Sequence, residues 1–335
     1  MRIGYAVVIG CVLSVYCGGG GGGGGGGGPS DPLPDPPPPP GQQTVFDYTS
    51  PLGDYTIYLP PGTSTYRGVL LLAPGFGGDS RIIADRRFAP DGSQLLFDGP
   101  EIQGYRSLAA DHGMAVMGAR LGSNPTALDA LENLLTALNE LAVASEHPEL
   151  ATAPLLLEGL SNGGCFAYAF TRTFPERVIG FRTQKGGCHD IRDGGAAKQV
   201  PGFLNIGEAD ERRRCLNITA LFDANRPAGA LWALAVQPGA GHVAIRDLDV
   251  LLGWLETVLT LRLPAAAGGA LRPIAEDSGW LGDRETAAVA SFDEYDKDRT
   301  LASWLPSAQT AEDWSAFVSP GRPLECPADA PPPGE

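Results

Sequence analysis

Apolar and polar positions alternate along most of the chain in blocks that predict strands and helices in turn. Residues 44–48 and 54–59 read as two short strands, with the turn residues Ser50-Pro51-Leu52-Gly53 between them. Residues 68–73 form a continuous apolar run, as expected of a strand covered on both faces, and 114–119 repeat it. Residues 154–158, 178–183, 202–206 and 231–236 complete the strands. Between them, 102–111 predict a helix stopped by Gly113. Residues 125–145 predict another, whose apolar face is Leu128, Leu131, Leu134, Leu135, Leu138 and Leu141. Helices at 162–173 and 245–261 complete the set. This alternation implies an α/β fold, with a mostly parallel sheet and helices on both faces. Sites in such sheets form at the carboxyl ends of strands.

The flanks break the pattern. Arg2 precedes an apolar stretch, 3–16, too short to span a bilayer as a helix but suited to an export signal. Cys17 and the glycines 18–28 follow, which resembles the start of a lipidated bacterial protein with a flexible tether. Val8-Ile9-Gly10-Cys11 fits the lipidation pattern better but leaves a very short apolar core, and cleavage without lipidation is the alternative. Residues 1–17 are thus a leader and 18–43 a Gly/Pro-rich linker. The folded part is 44–263, with a long loop or insertion at 79–100. Residues 264–335 hold Trp280, Trp304 and Trp314 but no further strand. They predict a helical C-terminal extension with a disordered, Pro-rich end, or a small separate binding module.

Composition narrows the partners. A net charge of -15 repels phosphate backbones, so nucleic acid is not an expected partner. Membrane attachment is expected only through a lipidated N-terminal Cys. Outside the leader, Cys165, Cys188, Cys215 and Cys326 permit disulfides in an exported protein, in any of three pairings. No His or Cys pair has zinc-site spacing, and no phosphate loop or dinucleotide fingerprint follows the first strands. No metal or cofactor is expected.

The chemistry concentrates after the 154–158 strand. Gly159-Leu160-Ser161-Asn162-Gly163 is G-x-S-x-G in its required context of strand, tight turn and helix. A strained backbone there would raise the Ser161 hydroxyl above the sheet as a nucleophile. The Asn162 N–H at the helix start would donate to an oxyanion. A second donor is expected from Phe76 in Pro74-Gly75-Phe76-Gly77-Gly78. His242, in Gly239-Ala240-Gly241-His242 after the last strand, is the candidate base, with His189 in reserve. His112 and His147 read as helix-end residues. Asp210, in Gly207-Glu208-Ala209-Asp210, is the candidate acid, ahead of Glu208 and Asp247. Phe76, Gly77 and His189 are candidate substrate contacts.

These residues resemble the α/β-hydrolase superfamily across about 44–262. The run Glu158-Gly-Leu-Ser-Asn-Gly-Gly164 is similar to that of dienelactone hydrolases and polyhydroxybutyrate depolymerase-like esterases. Pro74-Gly75-Phe76 resembles the oxyanion turn of bacterial cutinases and polyester hydrolases. Gly207-x-x-Asp210 and Gly241-His242 match the superfamily's acid and histidine patterns. Cys165 departs from a position usually filled by Met or another apolar residue, and 79–100 and 264–335 have no counterpart. The resemblance implies an α/β-hydrolase fold and cofactor-free ester hydrolysis through an acyl-enzyme. An exported or lipid-anchored serine esterase is therefore expected. The alternatives are an acyltransferase on the same triad and a non-catalytic surface lipoprotein that kept the fold.

Overall fold

The computed structural model describes residues 43–88, 99–245, 247–318 and Cys326. The expected leader and nearly all of the linker lie outside these residues, as do 89–98 of the expected insertion.

Eight strands form the central sheet: β1 (Val45–Ser50), β2 (Gly53–Tyr58), β3 (Val69–Ala73), β4 (Ala115–Leu121), β5 (Leu155–Leu160), β6 (Val178–Gln184), β7 (Gly202–Gly207) and β8 (Trp232–Gln237). Their order is β1-β2-β4-β3-β5-β6-β7-β8. β1 and β2 pair antiparallel, as do β2 and β4, and the remaining pairs are parallel. The fold is α/β. Its strands read as apolar runs because helices cover both faces. One face packs Leu71, Leu157, Phe181 and Leu204 against α2 (Leu128–Ala144), α3 (Asn162–Thr173) and α4 (Arg212–Asn225). The other packs Leu70, Leu72, Leu156 and Phe203 against α1 (Gly99–Asp111) and α5 (Leu248–Arg262).

The chain leaves β3 for β4 on one side and returns to β5 on the other. The loops after β3 and β5 therefore diverge at the carboxyl end of the sheet. That opens the crevice in which α/β sheets bind ligands.

The C-terminal extension corrects the expectation of helix alone. β9 (Trp280–Gly282), β10 (Val289–Ser291) and β11 (Ser303–Leu305) form a second, antiparallel sheet in the order β10-β9-β11, followed by α6 (Ala308–Phe317). Ser303 Oγ accepts the Leu234 N–H at 3.0 Å and donates to the Leu234 carbonyl at 3.1 Å. The Trp314 indole N–H donates to the same carbonyl at 3.0 Å. Leu234 lies on β8, the last strand of the main sheet, so the extension covers an edge that would otherwise present unpaired backbone.

Cys165–Cys188 and Cys215–Cys326 form two disulfides, with Cα–Cα distances of 5.7 and 5.5 Å. The first ties α3 to the loop after β6, and the second ties α4 to the C-terminal end. Such bonds fit an oxidising compartment. Among the described residues no helix is long and apolar enough to cross a membrane.

Candidate active site

β5 delivers Ser161 straight into α3. Ser161 holds φ 55° and ψ -118°, a conformation that costs a non-glycine residue about 1–3 kcal/mol and concentrates at functional sites. Its N–H donates to the Gln184 carbonyl at 2.7 Å, which anchors the turn to β6. Two glycines let the backbone fold this tightly. A Cβ on Gly159 would lie 2.1 Å from the Gly163 carbonyl oxygen, and one on Gly163 would lie 2.1 Å from the Ala73 oxygen. The first intrahelical bond runs from the Cys165 N–H to Ser161 O, which leaves the Asn162 N–H among the unpaired donors of the first turn.

The loop after β3 approaches from the other side. A methyl on Gly75 would stand 3.4 Å from Ser161 Cβ and 4.0 Å from its Oγ. The Gly78 N–H donates to Gly75 O at 3.0 Å, with Gly77 at φ 71° in the third position of the turn. Phe76 is thereby held outward, 83% exposed, beside an exposed Gly77.

Asp210 and His242 meet after β7 and β8. The His242 Nδ1–H donates to Asp210 Oδ2 at 2.9 Å, leaving Nε2 to take a proton. The other carboxylate oxygen, Oδ1, accepts the Glu211 N–H at 2.7 Å and Arg214 Nη1 at 3.0 Å. Asp210 is thus buried and fully satisfied, while the His242 side chain stays one-third exposed. The backbone couples the two turns, since the Ala209 N–H donates to Ala240 O at 2.9 Å.

Gln184 links this half to Ser161. Its side-chain oxygen accepts the Ile245 N–H, three residues past His242, at 2.7 Å. Its backbone oxygen is the one that holds Ser161. Its amide also donates to buried Glu158, which pairs with buried Arg182 at 2.9 Å. Burial pushes the Glu158 carboxyl up, against the pull of Arg182. Leu160 and Ala244, the neighbours of these turns, line one small cavity with Pro74, Ser80 and Glu158. Ser161 Oγ makes no hydrogen bond among the described residues. Such contacts in unliganded sites are often long and tighten with substrate.

The rival acids have other duties. Glu208 accepts the Gly239 N–H at 2.6 Å, bracing the histidine loop, and Asp247 caps α5. His112 pairs with Glu256 and His147 with Glu149, in keeping with helix-end roles.

His189 is placed otherwise than a base for Ser161 requires. It is buried. Its Nε2 lies 2.8 Å from Thr183 Oγ1 and its Nδ1 lies 2.8 Å from Asn217 Oδ1. A ring closed on both nitrogens offers nothing to Ser161, and its role is structural. Burial pushes its pKa down from 6.5 to about 4. The unfolded chain takes up this proton near 6.5 and the folded one does not, so stability is complete above that pH and lost as the pH falls towards 4. The free energy of unfolding is expected to fall by about 3 kcal/mol across that window. Urea titrations of the wild type and His189→Gln check this. The variant's stability should lack that part of the slope, and parallel profiles would remove His189 as its source.

Gln184, Lys185 and Arg214 are not marked by any sequence motif, whereas Glu158 opens the run that carries Ser161. Gln184 and Lys185 stand at the carboxyl end of a strand, which is the signal that would have found them. Among the described residues no group of three or more His, Cys, Asp or Glu is placed to hold a metal. Compared with models of known protein families and with curated protein sequences, the chain matches none.

Proposed function

We propose that the protein is an α/β-hydrolase-fold serine esterase. The observation that carries the reading is Ser161 at positive φ on the strand–helix turn, with a buried aspartate on the Nδ1 side of an open histidine two loops away. In this mechanism Ser161 Oγ attacks the ester carbonyl while His242 Nε2 takes its proton. Asp210 keeps the imidazole in the tautomer that accepts at Nε2 and stabilises the cation that forms. The N–H groups of Asn162 and Phe76 receive the developing oxyanion, and such preorganised donors ordinarily contribute most to the acceleration of acyl transfer. His242 then protonates the departing alcohol. Water attacks the acyl-enzyme by the same route in reverse, and the exposure of His242 gives it access. Export, with lipidation at Cys17 or Cys11, completes the proposal and agrees with the two disulfides.

A fluorophosphonate probe tests the reading. The intact protein is expected to take up one equivalent, with the adduct on a peptide containing Ser161, and His242→Ala is expected to lose labelling. No adduct on Ser161 would sink the assignment and leave a binding protein on a hydrolase-like frame. If labelling occurs but added alcohols divert the acyl group in preference to water, the protein is an acyltransferase.

A further inference from the structure

Lys185 is a buried cation that the mechanism above does not use. It follows β6 directly, holds φ 51° without being glycine, and is wholly buried. Its N–H donates to Asn205 O at 2.8 Å. Its ammonium donates to Asn205 Oδ1 at 3.0 Å and Gln237 Oε1 at 2.6 Å. Asn205 lies on β7 and Gln237 ends β8, and these are the strands whose following turns carry Asp210 and His242. Asn205 Nδ2 also donates across to Ala235 O on β8 at 3.2 Å. The packing is close: a Cβ on Gly207 would stand 2.4 Å from Ala240 O, 2.6 Å from Gly241 O and 2.9 Å from Lys185 Cε. The lysine stem, the acid turn and the histidine loop therefore touch at one point.

Both direct partners of the ammonium are neutral amides, and burying a charge against amides alone is unfavourable. The compensating charge is Asp210, opposed by Arg182 on β6. Burial lowers the ammonium to about 8, so it remains charged at neutral pH. Asp210 in turn faces His242, Arg214 from α4 and Lys185.

We propose that Lys185 is a positioning residue for the Asp210–His242 pair, fastening the strand ends that carry them and supplying positive charge beneath the acid. This rests on the serine esterase reading for its catalytic meaning, but its physical content does not. A cation near Asp210 repels an imidazolium and offsets part of the carboxylate's pull on it, so removing that charge should make protonation of the ring easier. Removing a bracket with a purely mechanical role would not.

The test is an NMR pH titration of the His242 imidazole in the full chain, assigned with His242→Asn, for the wild type, Lys185→Met and Lys185→Arg. Lys185→Met is expected to raise the His242 pKa by about half a unit or more, and Lys185→Arg to hold it near the wild-type value. If Lys185→Met does not fold, Lys185→Gln replaces it, since it likewise removes the cation while keeping a polar group against Asn205 and Gln237, and should also raise the pKa. An unchanged His242 pKa in the folded variant overturns the proposal. Given activity, the acid limb of kcat/KM should move with the imidazole, and kcat should fall about 10- to 100-fold with KM nearly constant. If the wild type shows no Ser161-dependent turnover, the esterase reading fails while the titration still decides the role of Lys185.

Discussion

Ser161→Ala is expected to lower kcat for a p-nitrophenyl ester by roughly 10^4- to 10^6-fold, with KM little changed. In the proposed mechanism the hydroxyl supplies the bond that forms, whereas substrate contacts and the oxyanion donors survive its loss. Asp210→Asn should cost about 10^4 by favouring the wrong imidazole tautomer. Because the three groups act as a unit, Ser161→Ala combined with His242→Ala should be no slower than Ser161→Ala alone. Ser161→Gly separates chemistry from strain. It should be equally inactive, yet more stable to urea by about 1 kcal/mol, since glycine accepts the positive φ that Ser161 holds against its side chain. Undiminished turnover in Ser161→Ala would refute the assignment. A less stable Ser161→Gly would show that the hydroxyl has native partners outweighing the strain.

The core of the main sheet is legible in the sequence because its central strands are covered on both sides. β3 is Val-Leu-Leu-Leu-Ala, buried throughout, and no surface requirement interrupts the run. α4 escapes such a reading although Cys215, Ile218, Leu221 and Phe222 have helical spacing. Arg212-Arg213-Arg214, Asn217 and Thr219 dilute the pattern, and its burial is decided by β7 beside it. The C-terminal sheet is invisible for a different reason. Its strands are three residues each, too short for a period, and they answer a need created elsewhere, the open edge of β8. Tertiary context overrides local signal in both cases.

Site residues divide along the same line. Ser161, Asp210 and His242 stand on turns whose glycines mark them locally, and the structure brings Asp210 and His242 into contact. His189 has an equally suggestive Gly-Gly-Cys-His setting, and only Thr183 and Asn217, distant in sequence or on another element, reveal that its ring is closed. The pairing of Cys165 with Cys188 is likewise a matter of three-dimensional distance. Lys185 carries no motif. Its meaning depends on Asn205 and Gln237 arriving beside it from separate strands.

Gly163→Ala should be among the most damaging single methyls in the molecule's frame, beside Gly159→Ala and Gly118→Ala. The new carbon would stand 2.1 Å from Ala73 O, 2.5 Å from Ala73 C and 2.7 Å from Pro74 O. These are backbone atoms where β3 passes into the Phe76 turn, so no rotamer change relieves the overlap. One route is to push α3 away from β3, which breaks the packing of the nucleophile turn. The other is to push the Phe76 turn outward, away from Asn162. We expect a loss of more than about 4 kcal/mol in unfolding free energy, or failure to fold. Protein that does fold should show kcat reduced by about 10^2- to 10^3-fold through the displaced oxyanion donor. Gly253→Ala in α5 is the control: its methyl would meet only Asp313 Oδ2, at 3.4 Å, and helix propensity should stabilise it by up to about 1 kcal/mol. Urea unfolding and ester kinetics on both variants decide the matter. If Gly163→Ala matched the wild type in both, the close approach of β3 and α3 could not be what presents Ser161 to an ester.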